Sequence, residues 1–269
     1  NSAIYTTAYY GYSALVNTVN EASEANKNYE LGLVDLSRTL ENVTQTSLKK
    51  YGEQAIQFSK DFSIPLQEVQ SAMTELARAG VDNKDDLMAM TNAVLMGLNT
   101  TEINSAAEMT GYLVSAVKQL GMEFTDSMSI IDGWNKMADK YAVQSNDFAE
   151  AIQKAGSASK TLGLNINDIN AMVVMLGEAT QASGHELGQA LKSLEVRLLR
   201  PETVKTLESY GIAVKKDAEH FLSFQQIMEN VNNATNNLAD DSVQLNDIMN
   251  ALGGTWRRNW AQILAQDWG

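Results

Sequence analysis

Residues 141–201, YAVQSNDFAEAIQKAGSASKTLGLNINDINAMVVMLGEATQASGHELGQALKSLEVRLLRP, repeat one pattern three times, and that repetition decides the fold class. After Ser145, the apolar residues Phe148, Ala151, Ile152 and Ala155 recur at three- and four-residue steps. After Asn165 or Asn167 the same spacing carries Ile169, Met172, Val173 and Leu176, and a third stripe runs through Leu187, Leu191, Leu194 and Leu198. Such steps place side chains on one face of a helix, so each segment is predicted as an amphipathic helix that buries a single stripe. Gly156, Gly163, Gly177 and Gly184 are expected at the breaks, where a helix end turns through positive φ.

The rest of the chain agrees. Two prolines and 12 methionines in 269 residues, with 7% aromatics, favour helix over strand, because strands select aromatic and β-branched side chains. An all-α protein is predicted: long N-terminal helices leading into a compact multi-helix domain. A formal charge of −13 argues against general adhesion to nucleic acid or to an anionic membrane, and no sequence-specific nucleic-acid binding is expected. The lack of cysteine excludes disulfides, thiol catalysis and thiolate metal sites. The longest apolar run, Ala171 to Leu176, is far shorter than a bilayer span. The chain starts at Asn1 and stops at Gly269 with no signal peptide, which points to a processed product or a piece of something longer.

From the N-terminus, Tyr5, Tyr9, Tyr12, Val16 and Val19 follow coiled-coil spacing, and a second pattern from Leu33 to Phe62 predicts one extended helix over residues 29–61. Its 11-residue step from Leu40 to Tyr51 reads as a stutter. Pro65 restarts the chain in the first turn of a helix that ends at Gly80. Asp82 to Asp86 cap the next helix, Thr101 and Glu102 open another, and Thr125 and Asp126 begin a fourth with Trp134, Met137 and Tyr141 facing inward. The organisation expected is 1–61, a long helical segment; 62–212, a core of two similar subdomains (62–140 and 141–212); and 213–269, a C-terminal helical segment. The similarity rests on Glu68, Val69, Ala72 and Met73 falling on Asp147, Phe148, Ala151 and Ile152 at an offset of 79. Glu108, Met109, Leu113, Ala116 and Leu120 fall on Glu186, Leu187, Leu191, Leu194 and Leu198 at 78. Duplication and the general likeness of amphipathic helices both account for this.

Little in the chain suggests catalysis. His185-Glu186-Leu187-Gly188-Gln189 starts like a helix-borne zinc motif, but Gln189 stands where the second histidine would be. A histidine in an N-terminal turn, with Glu186 complementing the helix dipole, is the expected arrangement. The run Asp82 to Asp86 lacks the alternating ligands and closing glutamate of a calcium loop. No phosphate loop or nucleophile elbow occurs. No catalytic residue, metal or cofactor is therefore expected, and the chain is read as a non-enzyme. The C-terminal TWRRNWAQILAQDWG gathers Trp256, Arg257, Arg258, Trp260 and Trp268. Packing of Trp256, Trp260, Ile263 and Leu264 on one helical face is one reading, and an aromatic and arginine patch for a partner is the other.

Three stretches, SIPLQEVQSAMTELARAG, QSNDFAEAIQKAGSASKTLGLNINDINAMVVML and GHELGQALKSLEVRLLRPETVKTLESYGI, together with LGGTWRRNWAQIL, resemble in order and spacing the core region of phage tail tape-measure proteins. The resemblance implies a virion structural protein of the tail lumen or tip, made in the host cytoplasm, that templates tail length and leaves ahead of the genome. Its implied partners are the tail tube protein, tail tip or baseplate proteins, tail assembly chaperones and further copies of itself, with host envelope contact during ejection. Members also occur in prophages and phage-tail-like particles. Full members are much longer, so length setting is not assigned to these residues, and assembly, docking or ejection is the expected role. A helical scaffold or secreted effector unrelated to phage, and a cell-wall hydrolase module, are the rival classes.

Overall fold

The computed structural model describes residues 23–40 and 43–267. The protein is all-α: the described residues form helices throughout, with no strand beyond a single antiparallel bridge between Lys215 and Phe221. The predicted seam from Tyr5 to Val19 lies outside the described residues. In chain order the helices are α1 (23–39), α2 (Gln45–Phe62), α3 (Leu66–Arg78), α4 (Lys84–Thr100), α5 (Ala106–Leu120), α6 (Ser127–Ala138), α7 (Ser145–Thr161), α8 (Ile166–Thr180), α9 (Gly184–Leu198), α10 (Pro201–Ser209), α11 (Phe224–Thr235) and α12 (Val243–Asp267). A 3₁₀ turn, Phe124–Asp126, leads into α6. Two compact units result, Asn1–Leu95 and Met96–Gly269, with the division falling inside α4.

In the first unit, the helix expected over 29–61 is two helices. α1 ends at residue 39, and Thr44 opens α2 with a reciprocal cap. The Thr44 hydroxyl accepts the Ser47 N–H at 3.1 Å, and Ser47 Oγ accepts the Thr44 N–H at 2.9 Å. A cap of this kind satisfies donors that only a fresh N-terminus leaves free. The 11-residue step therefore marks a change of helix, and both helices bury their stripes: Leu33, Leu36 and Leu40 on one side of it, Tyr51 and Ala55 on the other. Gln70 of α3 ties back to α1, its Nε2 donating to the Tyr29 carbonyl at 3.0 Å. Pro65 stands at the N-cap of α3, one residue before the first turn. Asn83, within the predicted acidic cap, accepts the backbone N–H groups of Asp85 and Asp86.

The second unit is built around α7, which packs against α5, α6, α8 and α9, its pairing with α9 being the most extensive of all. Phe148, Ala151, Ile152 and Ala155 are fully buried, as their spacing predicts. The predicted glycine breaks are corrected. Only Gly163 lies at a joint with positive φ (74°), whereas Gly156 and Gly177 lie inside α7 and α8 and Gly184 begins α9. These three are small because neighbours come close. A Cβ at Gly156 would lie 2.9 Å from Gln119 Oε1, and one at Gly177 2.9 Å from Val143 Cγ2. A Cβ at Gly184 would collide with the Asp147 backbone, and one at Gly188 would sit 2.7 Å from Ala151 Cα. The α7–α9 crossing is thus backbone against backbone.

The N-terminus of α9 is closed from two directions. Ser183 and Glu186 form a capping box, while Asp147 Oδ1 accepts the Gly184 N–H and Glu150 Oε2 accepts the His185 N–H, both at 2.7 Å. Carboxylates brought by α7 satisfy donors that a helix start leaves free and complement its dipole. Thr101 and Glu102, expected to open a helix, lie in the α4–α5 connection; Ser105 caps α5 instead, accepting the Glu108 N–H. Trp134 is fully buried, but Met137 and Tyr141 are half-exposed. Helices α3 and α7 start 79 residues apart, at Leu66 and Ser145, and α5 and α9 start 78 apart, at Ala106 and Gly184. The paired positions Val69 and Phe148, Met73 and Ile152, and Met109 and Leu187 are all fully buried.

Candidate functional site

Neither histidine sits in a metal-binding arrangement. His185 Nε2 and Gln189 Nε2 lie 2.7 Å apart, one turn of α9 from each other, and His220 Nδ1 pairs with Asp217 at 2.8 Å. No group of three or more metal-ligating side chains occurs among the described residues. Glu186 lies in the first turn of α9, where its charge complements the dipole, and it also completes the cap with Ser183.

One carboxyl stands apart. Glu195 of α9 is 1% exposed; its Oε1 accepts the Ser159 hydroxyl of α7 at 2.6 Å, and its Oε2 has no partner. Burial pushes this carboxyl up to about 7, with the Ser159 hydrogen bond opposing the shift. Its side chain is enclosed between α9 and α7.

The outer face of α9 is different. Lys192 and Val196 lie one turn apart on this face, and Arg200 follows just past the end of α9, at the N-cap of α10. Lys154 of α7 and Arg257 of α12 flank them, and together they line an open groove of about 430 Å³. Lys192 and Arg200 are exposed and Lys154 and Arg257 are half-exposed; none of the four enters an ion pair among the described residues. Val196 is 46% exposed and Trp256, the residue before Arg257, is 93% exposed. Four unpaired cations in a chain of net charge −13 form a local positive field against the global sign.

The kink in α12 sets up this face. Gly254 takes φ 63° and ψ −173°, and Arg257 also leaves helical geometry, so the helix predicted to end at Gly253-Gly254 gives way to a second one at a new angle. Before the kink Leu245, Ile248, Met249 and Leu252 are buried, and beyond it Ala261 and Leu264 are buried in turn. Leu252, Ala261 and Leu264 surround a small gap with Leu194, Leu198 and Phe224, which anchors both halves of α12. Thr203 Oγ1 donates to the Ala251 carbonyl at 3.2 Å and Tyr210 Oη to Asp247 at 2.7 Å, tying α10 to the first half.

The sequence-predicted patch is therefore only partly gathered. Arg257 enters the groove, Trp256 projects into solvent, Trp260 is half-buried, and Arg258 turns to Asn246, to which its Nη1 donates. Trp268 lies outside the described residues. Lys154, Lys192 and Arg200 are not among the residues the sequence singles out, although the four-residue step from Lys192 to Val196 is a signal visible there. A second concavity of about 560 Å³, between α6 and α8, is mostly apolar, with Met137, Tyr141, Val174 and Met175 on its walls and Glu178 among them. Among the described residues no helix is long and apolar enough to cross a membrane.

No solved structure matches this chain. A tape measure protein of Pneumococcus phage Dp-1 is 19% identical over 207 residues, a span of 76% of this chain and 18% of that relative. The model of the phage-related minor tail protein family matches residues 52–254, from α2 to the α12 kink. The chain therefore belongs to the phage-related minor tail protein family, whose members are structural parts of phage tails.

Proposed function

We propose that these residues form a docking part of a tape-measure-like tail protein, held in the tail lumen or at its tip and acting in tail assembly and genome ejection. The groove on α9, with four cations free of ion pairs and an exposed tryptophan beside it, carries this reading. It is mounted on helices whose backbones touch, and a rigid mount suits a surface that works by being placed against other components. The contacts proposed are with the tail tube protein, tip or baseplate proteins, assembly chaperones and other copies of the chain, and with the host envelope during ejection. Length determination is not proposed for these residues, and the chain spans only 18% of the tape measure protein it matches. The patch named from the sequence, Trp256, Arg257, Arg258, Trp260 and Trp268, is retained as part of the contact surface.

Purified tails analysed by mass spectrometry should contain peptides of this segment, and electron microscopy should place it inside the tube or at its end. Tails that form normally and lack the polypeptide would defeat the proposal.

A further inference from the structure

We propose that the groove between α7, α9 and α12 receives an acidic, amphipathic helix of a protein partner. The inference rests on reading this chain as a docking part of the tail, and it adds the chemistry of what docks.

Charge carries the first step. Lys154, Lys192, Arg200 and Arg257 face one groove, and no acidic side chain lines it. Like charges held together without counter-charges repel one another, and an anionic occupant relieves that repulsion. Lys192 stands on the outer face of α9 and Arg200 past its C-terminal end, at the N-cap of α10, so the cations are spread along the groove and suit an extended occupant such as a partner helix. Glutamates at four-residue steps line one face of such a helix and would meet the cations together.

The second step separates a protein from a nucleic acid. Duplex DNA carries about one negative charge per 1.7 Å and extends far beyond a groove of this size, so it would also meet the field of a chain with net charge −13. A short acidic helix meets the cations and little else. The apolar members point the same way. Val196, 46% exposed, lines the groove one turn from Lys192, and Trp256, 93% exposed, adjoins Arg257. A phosphodiester backbone has no apolar face to cover Val196, whereas an amphipathic helix presents leucines beside its glutamates.

The test is fluorescence anisotropy on the full chain. Three labelled probes are used: a helical peptide of about four turns with glutamates at four-residue steps beside a leucine stripe, the same peptide with every Glu→Gln, and a duplex DNA of matched length. The acidic peptide is expected to bind, and the glutamine peptide and the DNA at least about tenfold more weakly. Lys192→Glu combined with Arg257→Glu should weaken the acidic peptide at least about tenfold, as should raising ionic strength toward about 1 M. Trp256→Ala should weaken it about fivefold without changing the salt dependence. Both variants alter exposed or half-exposed side chains, and unchanged far-UV circular dichroism confirms that they fold. Equal binding of the two peptides, tighter binding of DNA, indifference to charge reversal, or no binding of the acidic peptide each overturns the inference. Loss of peptide binding with the segment still present in tails would defeat this inference alone; the reverse result would defeat the tail placement alone.

Discussion

Gly188→Leu is expected to lower the unfolding free energy by about 4 kcal/mol, a large part of the total stability of a typical domain. Helices normally accommodate an added side chain by repacking flexible neighbours. Here a Cβ at Gly188 would lie 2.7 Å from Ala151 Cα and 2.8 Å from the Ala151 carbonyl oxygen, and backbone has no alternative rotamer. The helices would have to separate along their most extensive contact, opening space around Phe148, Ile152, Leu187 and Leu191. Separation would also withdraw Asp147 and Glu150 from the N-terminus of α9. An internal control is available in Gly111, which is exposed in α5 with nothing within 4 Å of an added Cβ. Gly111→Ala should raise stability by about 0.5–1 kcal/mol through reduced backbone entropy in the unfolded chain. Urea unfolding followed by circular dichroism measures both. A Gly188→Leu protein as stable as the parent would show that the two backbones do not meet.

Glu195→Gln is expected to remove a pH dependence worth about 3 kcal/mol. Burial raises the folded-state carboxyl from 4.5 to about 7, so the folded protein holds a proton that the unfolded chain has released. The stabilisation this provides is fully present below about pH 4.5 and is lost as pH rises through about 7, at about 1.4 kcal/mol per pH unit between these limits. Above pH 7 a carboxylate is confined beside Ser159 with one oxygen unpartnered. Glutamine keeps an acceptor for the Ser159 hydroxyl and does not titrate. The measurement is the difference between the two proteins across pH 4 to 8, because other groups act in the opposite sense. Asp217, held low by hydrogen bonds from the Glu219 backbone and the His220 side chain, gives up its contribution as pH falls. A constant difference across that range would mean that Glu195 titrates as an ordinary exposed carboxyl.

Helix content and buried stripes were legible because periodicity reports directly on burial. Each apolar position cited for the second and third helices of 141–201 is buried, as is each one cited for the first. Joints were less legible. The spacing from Leu40 to Tyr51 fits a stutter or a new helix equally well, and the choice lay with two hydroxyl groups, Thr44 and Ser47, whose reciprocal bonds are local. Glycine misled for a related reason. The same residue serves a positive φ at Gly163 and a close approach at Gly188, and only the neighbour across the fold separates these uses. The groove was half-visible: Lys192 and Val196 share a helical face by spacing alone, but Arg200, past the end of α9, and Lys154 and Arg257 join them only after the chain has turned into α10 and α7, α9 and α12 have packed. Membership of a tail-protein family was available from short ordered signatures, which the family match over residues 52–254 agrees with.

Where main chain rather than side chain meets at a crossing, the slack that lets packed helices slide past each other is missing. With Gly184 and Gly188 seated on Asp147 and Ala151, α7 and α9 make a single strut that carries a push or a pull without shearing. Under load, yielding would pass to the turns on either side, at Gly163 before α8 and Gly211 after α10, while Lys154 and Lys192, mounted on the paired helices, would keep their spacing.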